Sequence, residues 1–308
     1  MPFTLGLVLV AALIFSIGRW IDNSYVFFAG YVVAQYIVLG TAWNILGGYT
    51  GYVNFGITAF FAIGAYSTVV LYKLVPAVPL PVMIAVGGVL AGLVGFGTGY
   101  LTLRLRGVFF SIATLAMAVV VQTLITNWDF VGGARGAYVL RPRTAPLIGG
   151  EYVQYLFLVM LGLCVLALVT ARSIERSALG YGFAAIRDDE AAAEASGVPT
   201  LRLKLIATAL SGGFMGMAGA PLPYYVTYLD PSSGFSLNYA VNAIAMPLIG
   251  GTSSWLGPVI GAVVVGGLQE YIRVTISSAV NVLVAGVLLV VFVIAAPQGI
   301  VGLFQRKR

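Results

Sequence analysis

Apolar runs long enough to cross about 30 Å of hydrocarbon recur along almost the whole of this chain. That repetition leaves few folds open. In lipid every backbone N–H and C=O must be satisfied inside the protein, so only helices and closed barrels span it. Barrel strands alternate apolar and polar residues over about ten positions, and these runs do not alternate. The chain is therefore expected to be an all-α polytopic membrane protein. Its apolar segments are 3–18, 25–46, 56–72, 82–103, 108–128, 152–171, 203–226, 236–252, 257–273 and 279–296. They give about ten transmembrane or re-entrant helices in a single domain over 1–308. Segments 108–128 and 236–252 are short or hold several polar residues, and a re-entrant or broken helix is the alternative for each. The first segment lacks a basic lead and a cleavage site, so it reads as a retained helix rather than a signal peptide.

With 60% hydrophobic and only 8% charged residues, and a mean hydropathy of +1.01, the chain has no room for a soluble domain. Its net charge of +6 fits the gathering of Lys and Arg in cytoplasmic loops better than nucleic-acid binding. Ten spans place both termini on one side. If that side is the cytoplasm, ten of the sixteen basic residues lie inside: Arg104, Arg106, Arg172, Arg176, Arg187, Arg202, Lys204, Arg306, Lys307 and Arg308. Glycine supplies 39 of 308 residues. Small residues let membrane helices approach closely, and Gly88/Gly92, Gly212/Gly216 and Gly257/Gly261 have the spacing for it. Cys164 is the chain's one cysteine, so no internal disulfide can form.

One polar island interrupts the pattern, from Arg172 to Lys204. It holds five of the ten acidic residues and five of the sixteen basic ones. A charge costs about 2.5–3.5 kcal/mol at mid-bilayer, so Arg187, Asp188, Asp189 and Glu190 must meet water or another protein. Gly180–Gly182 is expected to break the preceding helix, and Phe183–Ser196 is rich in helix formers. Gly197 and Pro199 then end it. Phe183, Ile186, Glu190 and Ala193 recur at near-helical spacing, giving a narrow face with two large apolar anchors. Arg187, Asp188, Asp189 and Glu194 take the other faces. A helix this short is marginal alone, which points to docking against a soluble partner. A solvated helix joining two spans is the alternative.

The chemistry left out is as informative. The chain has no histidine, so it holds no Ser-His-Asp triad and no HExxH zinc site. Of Lys73, Lys204 and Lys307, none ends a Gly-rich phosphate loop. The carboxylates Asp22, Asp129, Glu151, Asp230 and Glu270 fall at or near span ends. No enzyme, metal site or bound cofactor is expected. Ion-coupled carriers keep titratable groups deep in the bundle, and the nearest here is Glu270, spaced i,i+3 from Arg273 as a local ion pair. The reading is a conduit whose energy comes from elsewhere. A self-sufficient channel or ion-coupled carrier for a small polar solute, using Glu270 or Asp230, stays open, as does a membrane scaffold with no path.

Four blocks carry a family likeness, in order and over most of the chain. They are AWNILGGYTGYVNFGITAFFAIGAYST (42–68), LRLRGVFFSIATLAM (103–117), SALGYGFAAIRDDEAAAEASGVPTLRLKLIATALSGGFMGMAGA (177–220) and PLIGGTSSWLGPVIGAVV (247–264). The tail AAPQGIVGLFQRKR (295–308) extends it. Together they resemble the transmembrane permease subunits of branched-chain amino acid ABC importers, the LivM type. The resemblance implies a multi-pass protein of the prokaryotic cytoplasmic membrane with a coupling helix, here 183–196, seated in a groove of an ATP-binding subunit. Phe183, Ile186, Arg187, Asp188, Asp189, Glu190, Glu194 and Gly197 would form that contact. It also implies a second homologous permease subunit, two ATP-binding subunits carrying the ATP and Mg, and an extracytoplasmic solute-binding protein. Two positions depart from the family pattern. Ile57 stands where members often place a His, and the external turn GGARG (132–136) contains Arg135. Related permeases are associated with urea and short amides, which is the alternative substrate class.

A zwitterion crossing the bundle needs polar partners that hold it weakly. The candidates are Gln35, Asn44, Asn54, Ser111, Thr114, Gln122, Asn238 and Asn242, with glycine breaks at Gly47–Gly48 and Gly250–Gly251 exposing backbone beside them. Interhelical hydrogen bonding is the ordinary alternative for each. The basic loop 132–143, with Arg135, Arg141 and Arg143, is either a meeting point for an acidic lip of the binding protein or a solvated loop.

Overall fold

The computed structural model describes residues 2–21, 23–75, 78–102, 107–146, 149–275, 286–287, 290 and 299–305. Five helices come first: α1 (Pro2–Ile21), α2 (Ser24–Thr50), α3 (Ile57–Leu74), α4 (Leu80–Thr102) and α5 (Val108–Thr126). α6 (Tyr152–Glu175) leads into the island, which folds as α7 (Ala178–Asp188) and α8 (Glu190–Ala195). α9 (Thr200–Gly219) and α10 (Leu222–Val226) return across the bundle. The short α11 (Pro231–Gly234) and α12 (Leu237–Gly250) follow. α13 (Leu256–Gly261) then runs through a π-helical turn, Ala262–Gly266, into α14 (Gly267–Thr275). A two-residue strand, β1 (Ala137–Tyr138), pairs antiparallel with β2 (Tyr228–Leu229).

Among the described residues, seven helices are long and apolar enough to cross a membrane: α1 to α6 and the run Thr200–Val226. Two more of the expected segments are helical but irregular. Segment 236–252 becomes α12, whose 14 residues enclose Pro247 and reach only about 21 Å at 1.5 Å per residue. Segment 257–273 is continuous helix with the π turn in its middle. The expected span 279–296 lies outside the described residues apart from 286, 287 and 290, as do Asp22, Arg104, Arg106 and the basic tail 306–308.

Contacts at the helix ends sort the bundle into two faces. On the island face, the Arg172 guanidinium stacks 3.6 Å from the Phe3 ring and 5.4 Å from Trp255, and the Trp255 backbone N–H donates to Glu175 at 3.1 Å. Gly51, at φ +78°, ends α2 beneath Arg187. On the opposite face, Ser24 donates to Glu151 at 2.9 Å and Lys73 to the Phe130 carbonyl at 2.7 Å. β1 and β2 lie there too, with the Tyr228 hydroxyl on the Arg135 carbonyl. The alternation of spans expected from the sequence is consistent with this sorting through α6 and α9, and Phe3 and the helix Gly299–Gln305 share the island face.

Glycine brings the central helices into backbone contact. A Cβ on Gly64 of α3 would lie 1.9 Å from the Gly216 carbonyl oxygen of α9. One on Gly216 would lie 2.4 Å from the Ala91 Cβ of α4, and one on Gly219 2.0 Å from the Phe61 carbonyl oxygen. The three glycine pairs expected from spacing all meet this chain's own helices. Gly88 faces Met217, Gly212 faces the Ala91 carbonyl, and Gly257 and Gly261 hold α13 against the end of α12. Gly64→Ala should force α3 from α9 at about 1–3 kcal/mol, lowering the thermal unfolding midpoint in detergent. Gly97→Ala, with nothing within 4 Å of the added carbon, should leave that midpoint unchanged or raise it slightly.

Candidate functional site

The island is not the single helix its composition suggested. The first helix runs through Gly180 and Gly182 instead of breaking at them, because those glycines are contact points. A Cβ on Gly180 would meet the Ile174 carbonyl oxygen at 2.3 Å, and one on Gly182 the Leu203 side chain at 2.6 Å. The break comes at Asp189, which turns extended at φ −160°. Its carboxylate accepts from the backbone N–H of Ala191 and Ala192 at 2.9 and 3.1 Å and so caps α8. Gly197, at φ +84°, follows α8. Asx residues favour this position because the side-chain oxygen replaces a missing helix acceptor, so the Asp-Asp pair was a legible N-cap signal.

Phe183 and Ile186, expected as outward anchors, are buried within the chain itself at 0% and 3% exposure. α7 packs them toward α2, α6 and α9. On α7 and α8 the large apolar residue offered outward is Tyr181, 75% exposed. Asp188 lies seven residues on, along the same stripe of α7, and forms an exposed pair with Arg187 at 3.2 Å. Ala191 and Ala192 continue the open surface onto α8.

Glu190 has a different position from its neighbours. Its Oε1 lies 2.6 Å from the Lys204 ammonium of α9. Lys204 also donates to the Tyr52 hydroxyl at 3.3 Å, and that hydroxyl donates to the second Glu190 oxygen. The lysine is 3% exposed and Tyr52 8%. The ammonium also lies 4.8 Å from the Tyr52 ring centroid, and Phe110 of α5 meets that ring edge-on at 5.2 Å. Glu194 is tied in as well, accepting from the Thr200 hydroxyl at 2.7 Å. Sequence reasoning placed Glu190 and Glu194 on a partner-facing surface, and the chain uses both to hold the island to α9. Tyr52 and Lys204 carried no local signal, since their role depends on residues 138 and 14 positions away from Glu190.

The polar residues proposed to line a path fall into separate groups. Asn54, Ser111 and Thr114 come together. Ser111 donates to the Val53 carbonyl at 2.7 Å, Thr114 accepts from the Phe55 N–H at 3.1 Å, and Asn54 accepts from Gly56 at 2.7 Å. Asn242 lies in a second group, donating to the Tyr36 hydroxyl at 3.2 Å and accepting from Gln269 at 2.8 Å. Gln35 donates to the Ala218 carbonyl at 3.1 Å and to Tyr31. Asn44 is buried against Gly48, beside the Thr252 carbonyl. Gln122 is half-buried on α5 and Asn238 is exposed at the start of α12. Among the described residues, polar atoms of Thr41, Asn44, Tyr49, Asn54, Tyr66, Gln154 and Ser211 are buried without a hydrogen-bond partner; at Asn54 it is the amide nitrogen and at Asn44 both side-chain polar atoms.

Asp230 and Glu270 both have local roles. Glu270 pairs with Arg273 at 2.9 Å with the expected i,i+3 spacing. Asp230 caps α11, accepting from the Ser232 N–H and both serine hydroxyls. Burial pushes its carboxyl up, but the bonds from Ser232 and Ser233 outweigh that and hold it below the ordinary range. A depressed carboxylate stabilises above its unfolded pKa, near 3.9, and loses that contribution as pH falls through the folded value. Proteolytic nicking of 230–236 should therefore rise on acidification and already be raised at neutral pH in Asp230→Ala.

Removing one partner of a buried pair strands the other charge at about 3–5 kcal/mol, while replacing both is far milder. Lys204→Ala should thus lower the unfolding midpoint much more than Glu190→Gln with Lys204→Met, a difference that differential scanning fluorimetry reads directly.

A family profile described as branched-chain amino acid transport system / permease component matches residues 25–293. The high-affinity branched-chain amino acid transport system permease protein LivM of Escherichia coli is 30% identical over 292 residues, covering 86% of this chain and 67% of its own length. The LivM protein of Salmonella typhimurium matches equally. The L-arabinose ABC transporter permease protein AraH of Azospirillum brasilense is 28% identical, covering 68% of this chain and 62% of its own. No solved structure matches.

Proposed function

The chain belongs to the permease component family of branched-chain amino acid transport systems, and from that premise we propose that it forms the solute path of an ATP-driven importer for those amino acids. The reading assigns the island face to the cytoplasm of a prokaryotic cell, following the bias of basic residues. ATP-binding subunits dock on the exposed face of α7 and α8. A second permease subunit and an extracytoplasmic binding protein complete the assembly. Support for branched-chain amino acids over other solutes comes from the LivM relatives, at 30% identity against 28% for the arabinose permease.

The observation that carries the docking assignment is the division of labour within the island. Its buried side chains fasten it to α2, α6 and α9, while Tyr181, Arg187, Asp188, Ala191 and Ala192 stay exposed. A charged loop held this firmly to the bundle and bare on its outer side has the form of a docking platform. Substitution at Ile186 or Phe183 would test folding rather than docking, since both are buried in the chain.

Gentle purification from the native membrane should recover ATP-binding subunits with this chain, and the assembly reconstituted with its binding protein should import leucine only when ATP is supplied. Tyr181→Asp should lower the recovered ATP-binding subunit and the uptake about tenfold, the scale of losing one interface anchor, with the chain's abundance unchanged. Leucine movement by the purified chain alone, without ATP, would replace the importer with a self-sufficient carrier.

A further inference from the structure

We propose that the buried cluster Lys204–Glu190–Tyr52 is the link through which the docked island moves the rest of the bundle, with Tyr52 as the residue that passes the movement to α5. The inference rests on the importer reading and adds to it a specific route between the platform and the path.

The geometry of 51–56 carries it. These residues leave α2 as a non-helical strap, with Tyr52, Asn54 and Gly56 buried and Gly51, Val53 and Phe55 exposed in strict alternation. The first inward side chain, Tyr52, is bonded to Glu190 of the island and to Lys204 of α9. The rest of the strap is bonded to the start of α5 through Ser111 on the Val53 carbonyl and the Phe55 N–H on Thr114. Phe110 of α5 closes the contact by meeting the Tyr52 ring. A displacement of α8 therefore reaches α5 across two side chains and one short strap.

α5 is suited to respond. It buries only Phe110, Thr114, Ala118 and Ile125 along its 19 residues, so two of its four buried positions lie in this contact. α4 and α9, by contrast, are locked through backbone contacts at glycine. The strap also carries the Asn54 amide nitrogen, buried and without a partner among the described residues. A polar group left open at the moving junction is what a weakly held solute or a water file would meet in one of two states.

A buried ion pair is poor evidence of stability, since apolar replacements of similar volume often do as well. Its value here is geometric. Two charges and a phenol fix the relative position of three elements, and a shifted pair of charges re-forms only in register.

The test uses the whole complex in proteoliposomes with its binding protein, measuring leucine imported per ATP hydrolysed. Glu190→Gln with Lys204→Met removes the link without stranding a charge. It should lower that ratio about tenfold, within the range known for residues that carry coupling between sites. Tyr52→Phe keeps the ring contact to Phe110 and loses the hydroxyl bonds, and should lower the ratio in the same direction by less. Exchanging the charges, Glu190→Lys with Lys204→Glu, should restore most of it. A doubly neutral complex that imports at the original ratio overturns the proposal. So does a proportional fall in uptake and hydrolysis with the ratio unchanged, which is the signature of a merely structural pair. An unaltered complex that moves no leucine on ATP defeats the importer reading itself, before any variant is compared.

Discussion

Helices in lipid gain nothing from hiding apolar surface, because the lipid is as apolar as their neighbours. What holds this bundle is backbone proximity, and it is most extensive where α9 packs on α4 and α3. At Gly64, Gly216 and Gly219 no side-chain carbon fits between the helices. α9 is thereby fixed in depth and rotation. Its island end carries Lys204, and its other end presents the Ala218 carbonyl to Gln35. The polar contacts at both ends of α9 depend on a seating that glycine determines.

That dependence separates what the sequence reveals from what it hides. Runs of about twenty apolar residues name their helices without any partner, and α1 to α6 and α9 were legible for that reason. The Glu270–Arg273 pair was legible because both members lie within one helical turn. Island structure was legible as helix but not as two helices, since composition speaks for the propensity of Ala and Glu and not for the cap that Asp189 supplies. The burial of Phe183 and Ile186 was hidden for a simpler reason. An amphipathic face is the same in sequence whether it packs on its own chain or on another.

The same ambiguity affects the path residues. Spacing cannot tell an interhelical bond from a group left open to a solute, and the structure contains both kinds. Asn242 is fully engaged between Tyr36 and Gln269, which makes it a packing residue in this state. Among the described residues, Asn54 keeps its amide nitrogen without a partner although it is completely buried, and Asn44 keeps both of its side-chain polar atoms so. An unmet donor in low dielectric costs free energy, so a site that retains one is better explained by a state in which the donor is met. By that argument Asn54, at the junction of α2, α3 and α5, and Asn44 within α2 are better candidates for a route than the Asn242 group.

The energetics of such a route bear on which kind of transporter this is. A carrier driven by protons or sodium needs a charged or titratable group whose partner changes between states. Glu270 is held by the arginine one turn away, and Asp230 is occupied with capping α11 at a loop. Among the described residues, the buried acid–base contact of Glu190 with Lys204 joins the bundle to the island. That ion pair lies where the island meets α9, at the face that also exposes Tyr181 and Asp188. On the proposed importer reading, the work enters at that face, where the island is fastened to α9 through Glu190 and Lys204.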